Sequence, residues 1–187
     1  MLKNADLTIG DMDALAIAAG PGSFTGLRIG IAAVKGLAWA ADKPCLGVST
    51  LEAMAQNIAH IDGLIVGAMD ARRSQVYNAV FEANGGELTR LTPDRAISLE
   101  ELCAQLSGKQ QPITVLGDGG ALCQRYLSEH GVKCLLAPAP LLYQNAVGVG
   151  LAAERAYAHG EAVSAQELLP VYLRPAQAER LKSAKAN

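Results

Sequence analysis

Ala14-Leu15-Ala16-Ile17-Ala18-Ala19, running straight into Gly20-Pro21-Gly22-Ser23-Phe24-Thr25-Gly26-Leu27-Arg28-Ile29-Gly30-Ile31-Ala32-Ala33-Val34-Lys35-Gly36, is the stretch that decides the fold. Six apolar residues without alternation describe a strand buried on both faces. Gly20-Pro21-Gly22 ends it, because proline has no N–H for a ladder and glycine permits a sharp reversal. Ser23 and Thr25 are cap residues whose hydroxyls can accept from the free amides of a first helical turn. The spacing then predicts a helix from Gly26 to about Ala41. Buried strand, glycine turn and helix make an α/β unit.

The helix and the turn each read two ways. Gly26 and Gly30 are four apart and share a face, and Ala33 and Gly36 extend that strip. A glycine inside a helix costs about 1 kcal/mol relative to alanine. The missing side chains therefore imply close backbone approach, either by a partner's helix or by this chain's own sheet. A strand, a glycine turn and a helix N-terminus can also cradle an anion, here with Gly20, Gly22, Ser23 and Thr25. Gly117-Asp118-Gly119-Gly120 repeats the plan, which adds Gly117 and Gly119 to the candidate nucleotide loops. Plain tight turns are the alternative. No lysine follows the glycines as in a P-loop, and Gly-x-Gly-x-x-x-Gly is not the dinucleotide fingerprint.

Working outward, Cys45–Val48 is a short strand. Ser49 and Glu52 form a capping box for an amphipathic helix from Leu51 to His60, with Leu51, Met54, Ala55 and Ile58 on one face. Leu64–Met69 is a buried strand and Asp70–Ser74 a turn. Gln75–Glu82 returns, and Asn84-Gly85-Gly86 turns again into Leu88–Leu91. This meander opens a second lobe. Asp70 beside Arg72 and Arg73 reads as a structural ion pair or as a carboxylate held for chemistry. Ser98 and Glu101 box the start of a helix to Leu106. Strand Ile113–Leu116, helix Ala121–His130, short strand Val132–Leu136 and helix Ala146–His159, capped by Asn145 and stopped by Gly160, complete the core. Pro170–Pro175 is extended, and the charged stretch from Ala176 is predicted to be disordered. The predicted division is a first lobe over 1–61, a second over 62–160 and a C-terminal extension over 161–187.

The totals narrow the function. With 16 basic against 18 acidic residues, net −2, the chain does not advertise a tight grip on nucleic acid. At 4% aromatic it also lacks a stacking platform for bases. Cys45, Cys103, Cys123 and Cys134 have no Cys-x-x-Cys spacing, and His60, His130 and His159 sit near predicted helix ends, where a positive charge suits the dipole. No apolar run reaches the length of a membrane span and the start lacks a signal-peptide pattern, so the expected compartment is the cytoplasm.

Gly-Pro-Gly-Ser-Phe-Thr-Gly-Leu-Arg-Ile-Gly, Gly20 to Gly30, resembles the signature of the TsaB (YeaZ) family. Three later segments match in order: Gly47-Val48-Ser49-Thr50-Leu51-Glu52-Ala53, Asp70-Ala71-Arg72-Arg73 with Val76-Tyr77, and Pro170-Val171-Tyr172-Leu173-Arg174. The resemblance runs from about Asp11 to Arg174. It implies an α/β, actin-like (ASKHA, ribonuclease H-like) two-lobed fold. It also implies an N-terminus truncated relative to the family, which ordinarily begins with a further strand carrying an Asp-Thr-Ser-type loop. Without that strand the edge of Ala14–Ala19 predicts self-association.

The implied function is a non-catalytic scaffold. Such a chain partners and activates TsaD and, with TsaE, enters an ATP-dependent assembly. There TsaD places threonylcarbamoyl on the adenosine beside the anticodon of tRNAs that read codons beginning with A. The tRNA is met indirectly, no cofactor is held tightly by the chain alone, and ATP enters with the complex. The surface for TsaD, or for a second copy in a homodimer, is expected at Phe24, Leu27, Arg28, Gly30, Ile31, Lys35 and Met54. Two alternatives stand beside this. An actin-like ATPase or kinase would need an acidic first loop that this chain does not carry. A metallopeptidase would need zinc-ligand spacing, and neither His-x-x-x-His nor His-Glu-x-x-His occurs.

Overall fold

The structure, a computed structural model, describes residues 2–174; the charged stretch expected to be disordered, from Ala176, lies outside the described residues. The apolar run forms strand β1, Leu15–Gly20, followed by helix α1, Phe24–Ala41, and strand β2, Cys45–Ser49. β1 and β2 pair in parallel, Leu15 opposite Cys45 through Ala18 opposite Val48. Helix α1 starts two residues before the predicted start. Ser23 is the N-cap, its Oγ accepting the Gly26 amide at 3.3 Å, which leaves Thr25 inside the first turn.

Helix α2 covers Thr50–Gln56, short of the predicted His60. Its continuation tightens into i→i+3 bonds, Asn57 N–H to Met54 O and Ile58 N–H to Ala55 O. Asn57 then turns its side-chain amide to Leu141 O and Tyr143 O, at 3.3 and 2.8 Å.

The second sheet contains β3 (Gly63–Asp70), β4 (Gln75–Asn84), β5 (Glu87–Arg90), β6 (Arg95–Ser98), β7 (Ile113–Leu116) and β8 (Leu135–Leu136). Its order is β5-β4-β3-β7-β8. β3 and β4 are antiparallel from Gly63 opposite Ala83 to Asp70 opposite Val76, and β3 and β7 are parallel. The sequence reading passed over β6, which has only Ala96 and Ile97 as apolar residues. It pairs with the first half of the ten-residue β4, and β5 takes the second half. Helices α3 (Leu99–Leu106), α4 (Gly120–Glu129) and α5 (Ala146–Ala158) complete the chain.

Side-chain alternation along β3 divides the core. Leu64, Val66 and Ala68 pack with Leu102 and Leu106 of α3 and Cys123 and Leu127 of α4. Ile65 packs with Leu51, Met54 and Ile58 of the α2 segment and with Phe81. Burying side chains of this size contributes about 1.5–3 kcal/mol each. The first sheet is sandwiched separately: Ile31 and Ala38 of α1 cover Leu15, Ile17 and Cys45 on one face, and Ala152 and Ala153 of α5 cover Ala16, Leu46 and Val48 on the other. So α5, which the sequence groups with the second lobe, packs on the first sheet. It also lies against α2, where Gly148 is so close that a Cβ would stand 2.0 Å from Ala53 O. Among the described residues no helix is long and apolar enough to cross a membrane.

Candidate functional site

Helix α1 has two apolar stripes, and they have different fates. The inner one packs on β1 and β2. Leu27 and Ile31 are buried there, and Met54 is fully buried beneath the second sheet. These three expected partner residues are therefore core residues of the chain itself. Gly30 also faces inward: its Cβ would lie 2.9 Å from Ile17 Cδ1, so this glycine makes room for the chain's own strand. Lys35 is occupied as well, its Nζ donating to Gln166 O at 3.0 Å and Leu168 O at 3.2 Å.

The outer stripe runs Gly26, Ile29, Ala33, Gly36, Leu37 and Ala40, all exposed. Ile29 is 66% and Leu37 47% exposed, and nothing lies within 4 Å of a Cβ built on Gly36. The sequence pointed to this face through Gly26, Ala33 and Gly36. It missed Ile29 and Leu37, whose signal is their place three or four residues from those small residues.

Phe24 and Arg28 lie under an extended C-terminal strap. The Phe24 and Tyr172 rings stack at 4.6 Å, the Arg28 guanidinium sits 4.0 Å over Phe24, and Arg28 Nε donates to Tyr172 Oη at 3.1 Å. Val171 N–H donates to Ala19 O at 2.8 Å. Gly20, at φ +143°, is forced here, because a Cβ would stand 2.3 Å from Val171 O. Gly22 borders the Leu27 side chain, and Thr25 is exposed in the first turn. Further along, Arg174 Nη1 donates to Ala71 O at 2.7 Å, its guanidinium also reaches Gln75 Oε1, and it lies 5.5 Å over the Tyr77 ring. The strap thus ties the first sheet to the second.

The glycine amides of the Gly117–Gly120 loop are taken within the chain. Gly117 N–H is taken by Leu142 O at 2.8 Å, Gly119 N–H by Ala68 O at 3.1 Å and Gly120 N–H by Gly117 O at 2.9 Å. Gly117 is required because a Cβ would stand 2.1 Å from Ala68 O. Gly117 and Gly119, expected as candidate nucleotide-loop residues, lie in a tight turn packed on β3. Asp70 is likewise a brace: Oδ1 accepts Arg72 N–H at 2.7 Å, and Oδ2 stands 4.0 Å from Arg72 Nε.

A polar cavity of about 340 Å³ lies where Ser49 and Glu52, Arg90, and Arg155 and His159 meet. Its cations are engaged. Arg90 bridges Glu52 and Asp94 at 2.7 Å each, and Arg155 Nη1 donates to Leu88 O at 2.7 Å. Burial works to lower the Arg90 pKa, but the two carboxylates carry it above the usual guanidinium value. Among the described residues no three of His, Cys, Asp or Glu lie close enough to share a metal ion.

The comparisons with known proteins agree with this architecture. A family model described as TsaD, tRNA N6-adenosine threonylcarbamoyltransferase, matches residues 1–180. The tRNA threonylcarbamoyladenosine biosynthesis protein TsaB of Bacillus subtilis is 36% identical over 184 residues, covering 96% of this chain and 77% of that protein. The chain belongs to the TsaB (YeaZ) family. The TsaB protein of Escherichia coli is 36% identical over 181 residues, covering 93% of this chain and 76% of its own length. The solved structure of YeaZ from Pseudomonas aeruginosa superimposes with a TM-score of 0.77 at 30% identity, covering 92% of this chain and 80% of that one. The two sheets and their helices are thus the actin-like α/β fold of TsaB proteins.

Proposed function

We propose that this chain is the non-catalytic partner of TsaD in threonylcarbamoyladenosine formation on tRNA, and that it docks through the outer face of α1. The observation that carries the reading is the exposed stripe Gly26, Ile29, Ala33, Gly36, Leu37 and Ala40. Ile29 and Leu37 supply apolar area to be covered. The small residues between them let a second helix axis come within the 8–10 Å of ordinary helix packing. A second copy competes for the same stripe in this reading, so one face serves both TsaD and a homodimer. TsaE joins this pair, and ATP is handled by the assembly rather than held by this chain. The N–H groups of Gly117, Gly119 and Gly120, each taken by a backbone carbonyl, support that division of labour and disfavour the ATPase reading. The four free cysteines suit a reducing cytoplasm.

The test uses Gly36→Leu and Ala33→Arg, titrated calorimetrically against TsaD of the same cell. A Cβ at Gly36 meets nothing within 4 Å among the described residues, so the expected result is an unchanged or slightly raised melting temperature with at least a tenfold loss of affinity. Full affinity in both variants would refute docking through this face.

A further inference from the structure

Four arginines gather where the strap crosses from the first sheet to the second. Arg28 of α1 donates to Tyr172. Two residues further on, past a bend at Leu173, Arg174 bonds Ala71 O. Arg72 and Arg73 follow Ala71 directly. Among the described residues Arg28, Arg73 and Arg174 have no carboxylate within 4 Å, and Arg72 has only Asp70, at the 4.0 Å limit with its own side chain 88% exposed. Against Asp70 and Asp118, whose Oδ1 accepts the Asp70 N–H at 3.2 Å, the four arginines leave a local excess of positive charge in a chain of net charge −2. Aromatic faces are interleaved with it, Phe24 beneath Arg28 and Tyr77 beneath Arg174. The turn that presents Arg72 and Arg73 is strained. Arg72, Arg73 and Ser74 have φ of +66°, +57° and +56°, three successive left-handed residues without a glycine. Such backbone is unfavourable for any residue that carries a Cβ. Asp70 and Arg174 brace it from either side.

Guanidinium forks match phosphate oxygens two at a time, and arginine stacked on an aromatic ring is partly ordered before a ligand arrives. We propose that Arg28, Arg72 and Arg73 form a ridge, its turn steadied by Arg174, that binds the phosphodiester backbone of RNA directly. The tRNA is then gripped by this chain as well as by its partner, rather than met only through the complex. The choice of RNA as the polyanion rests on the reading that the chain serves a tRNA-modifying assembly. No base is read by such a ridge. It sets affinity and placement, and its strength falls with salt.

The experiment is fluorescence anisotropy with end-labelled tRNA between about 50 and about 200 mM salt, on the full chain alone and mixed with TsaD. The variant is Arg72→Asn with Arg73→Asn, since asparagine tolerates the left-handed conformation. The wild-type chain is expected to bind at low salt. The double variant is expected to bind about tenfold more weakly and to lower the slope of log affinity against log salt by about 1.5, from 0.7–0.9 per phosphate contact. An unchanged slope, no binding by the wild type at low salt, or preference for anionic lipid vesicles over tRNA overturns the proposal. Should the double variant lose its melting transition, Arg28→Gln carries the test, with an expected slope change of about 0.8. Failure to associate with TsaD would overturn the partner reading, while the chain-alone titration still reads the ridge.

Discussion

Gly148→Ala and Gly150→Ala are the same change two residues apart on one helix, and the structure assigns them opposite signs. A Cβ at Gly148 would stand 2.0 Å from Ala53 O, 3.0 Å from Ala53 C and 3.1 Å from Asn57 Oδ1. Ala53 O is backbone of a packed helix and cannot swing aside, so α2 and α5 must part by more than about 1 Å to restore normal contact. Overpacking of this kind costs about 1–3 kcal/mol. The parting also disturbs the Asn145 cap, whose Oδ1 accepts the Gly148 amide at 2.8 Å and which is worth about 1 kcal/mol. Against this, alanine gains about 1 kcal/mol of helix propensity. The net is a destabilisation of about 1–3 kcal/mol, or about 3–10 °C in melting temperature at this chain length. At Gly150 a Cβ would meet nothing within 4 Å among the described residues, so only the propensity acts and the melting temperature rises by about 2–4 °C. Differential scanning fluorimetry of the two variants beside wild type decides it. A Gly148→Ala protein that melts at or above wild type would refute the close α2–α5 approach.

Three further outcomes follow from other contacts. Tyr172→Ala removes the ring stacked on Phe24 and the acceptor of Arg28, at a cost of about 1–2 kcal/mol. Hydrogen exchange at the Val171 amide should quicken, and an unchanged rate would mean that the strap is held elsewhere. The Glu167 carboxyl is held below its usual pKa because the Ser164 hydroxyl and N–H both donate to it. A lowered folded pKa gives stability above the unfolded carboxylate value that is lost as pH falls through the folded one. The melting-temperature gap between wild type and Glu167→Gln should therefore close between about pH 5 and about pH 3, and a constant gap would count against the pairing. Burial, with Cys134 nearby, pushes the Cys123 thiol up to about 12. Native protein at mildly alkaline pH should leave it unmodified by a thiol reagent that labels the unfolded chain, and rapid native labelling would contradict its burial.

Local chemistry was readable from the sequence wherever the cause was local. The Ser98–Glu101 capping box closes in both directions, Asn145 caps α5, and the Gly20–Gly22 turn ends β1. The sidedness of α1 was not readable. Leu27, Ile31, Val34 and Ala38 form one apolar stripe and Ile29, Ala33, Leu37 and Ala40 another, so hydropathy alone cannot say which meets the sheet. The glycines mislead further, because Gly30 belongs inside and Gly36 outside. Met54 suited a partner surface as an amphipathic residue until the second sheet proved to lie over it. Lys35 could not be read at all, since its acceptors, Gln166 and Leu168, lie more than 130 residues away. The place of α5 on the first sheet is equally non-local, and β6 had too few apolar residues to show a period.

The first sheet has a consequence for how the chain is made. β1 and β2 leave the ribosome before α5, whose face covering Leu46 and Val48 emerges roughly 100 residues later, a delay of about 5–20 s at ordinary synthesis rates. The strap residues that close over Ala19 and Gly20 come later still. During that interval two short parallel strands stand with one face bare, a state too small to be stable by itself. Of the two sheets, the one made first is thus the last to be covered, and its safe passage depends on whatever shelters a young polypeptide.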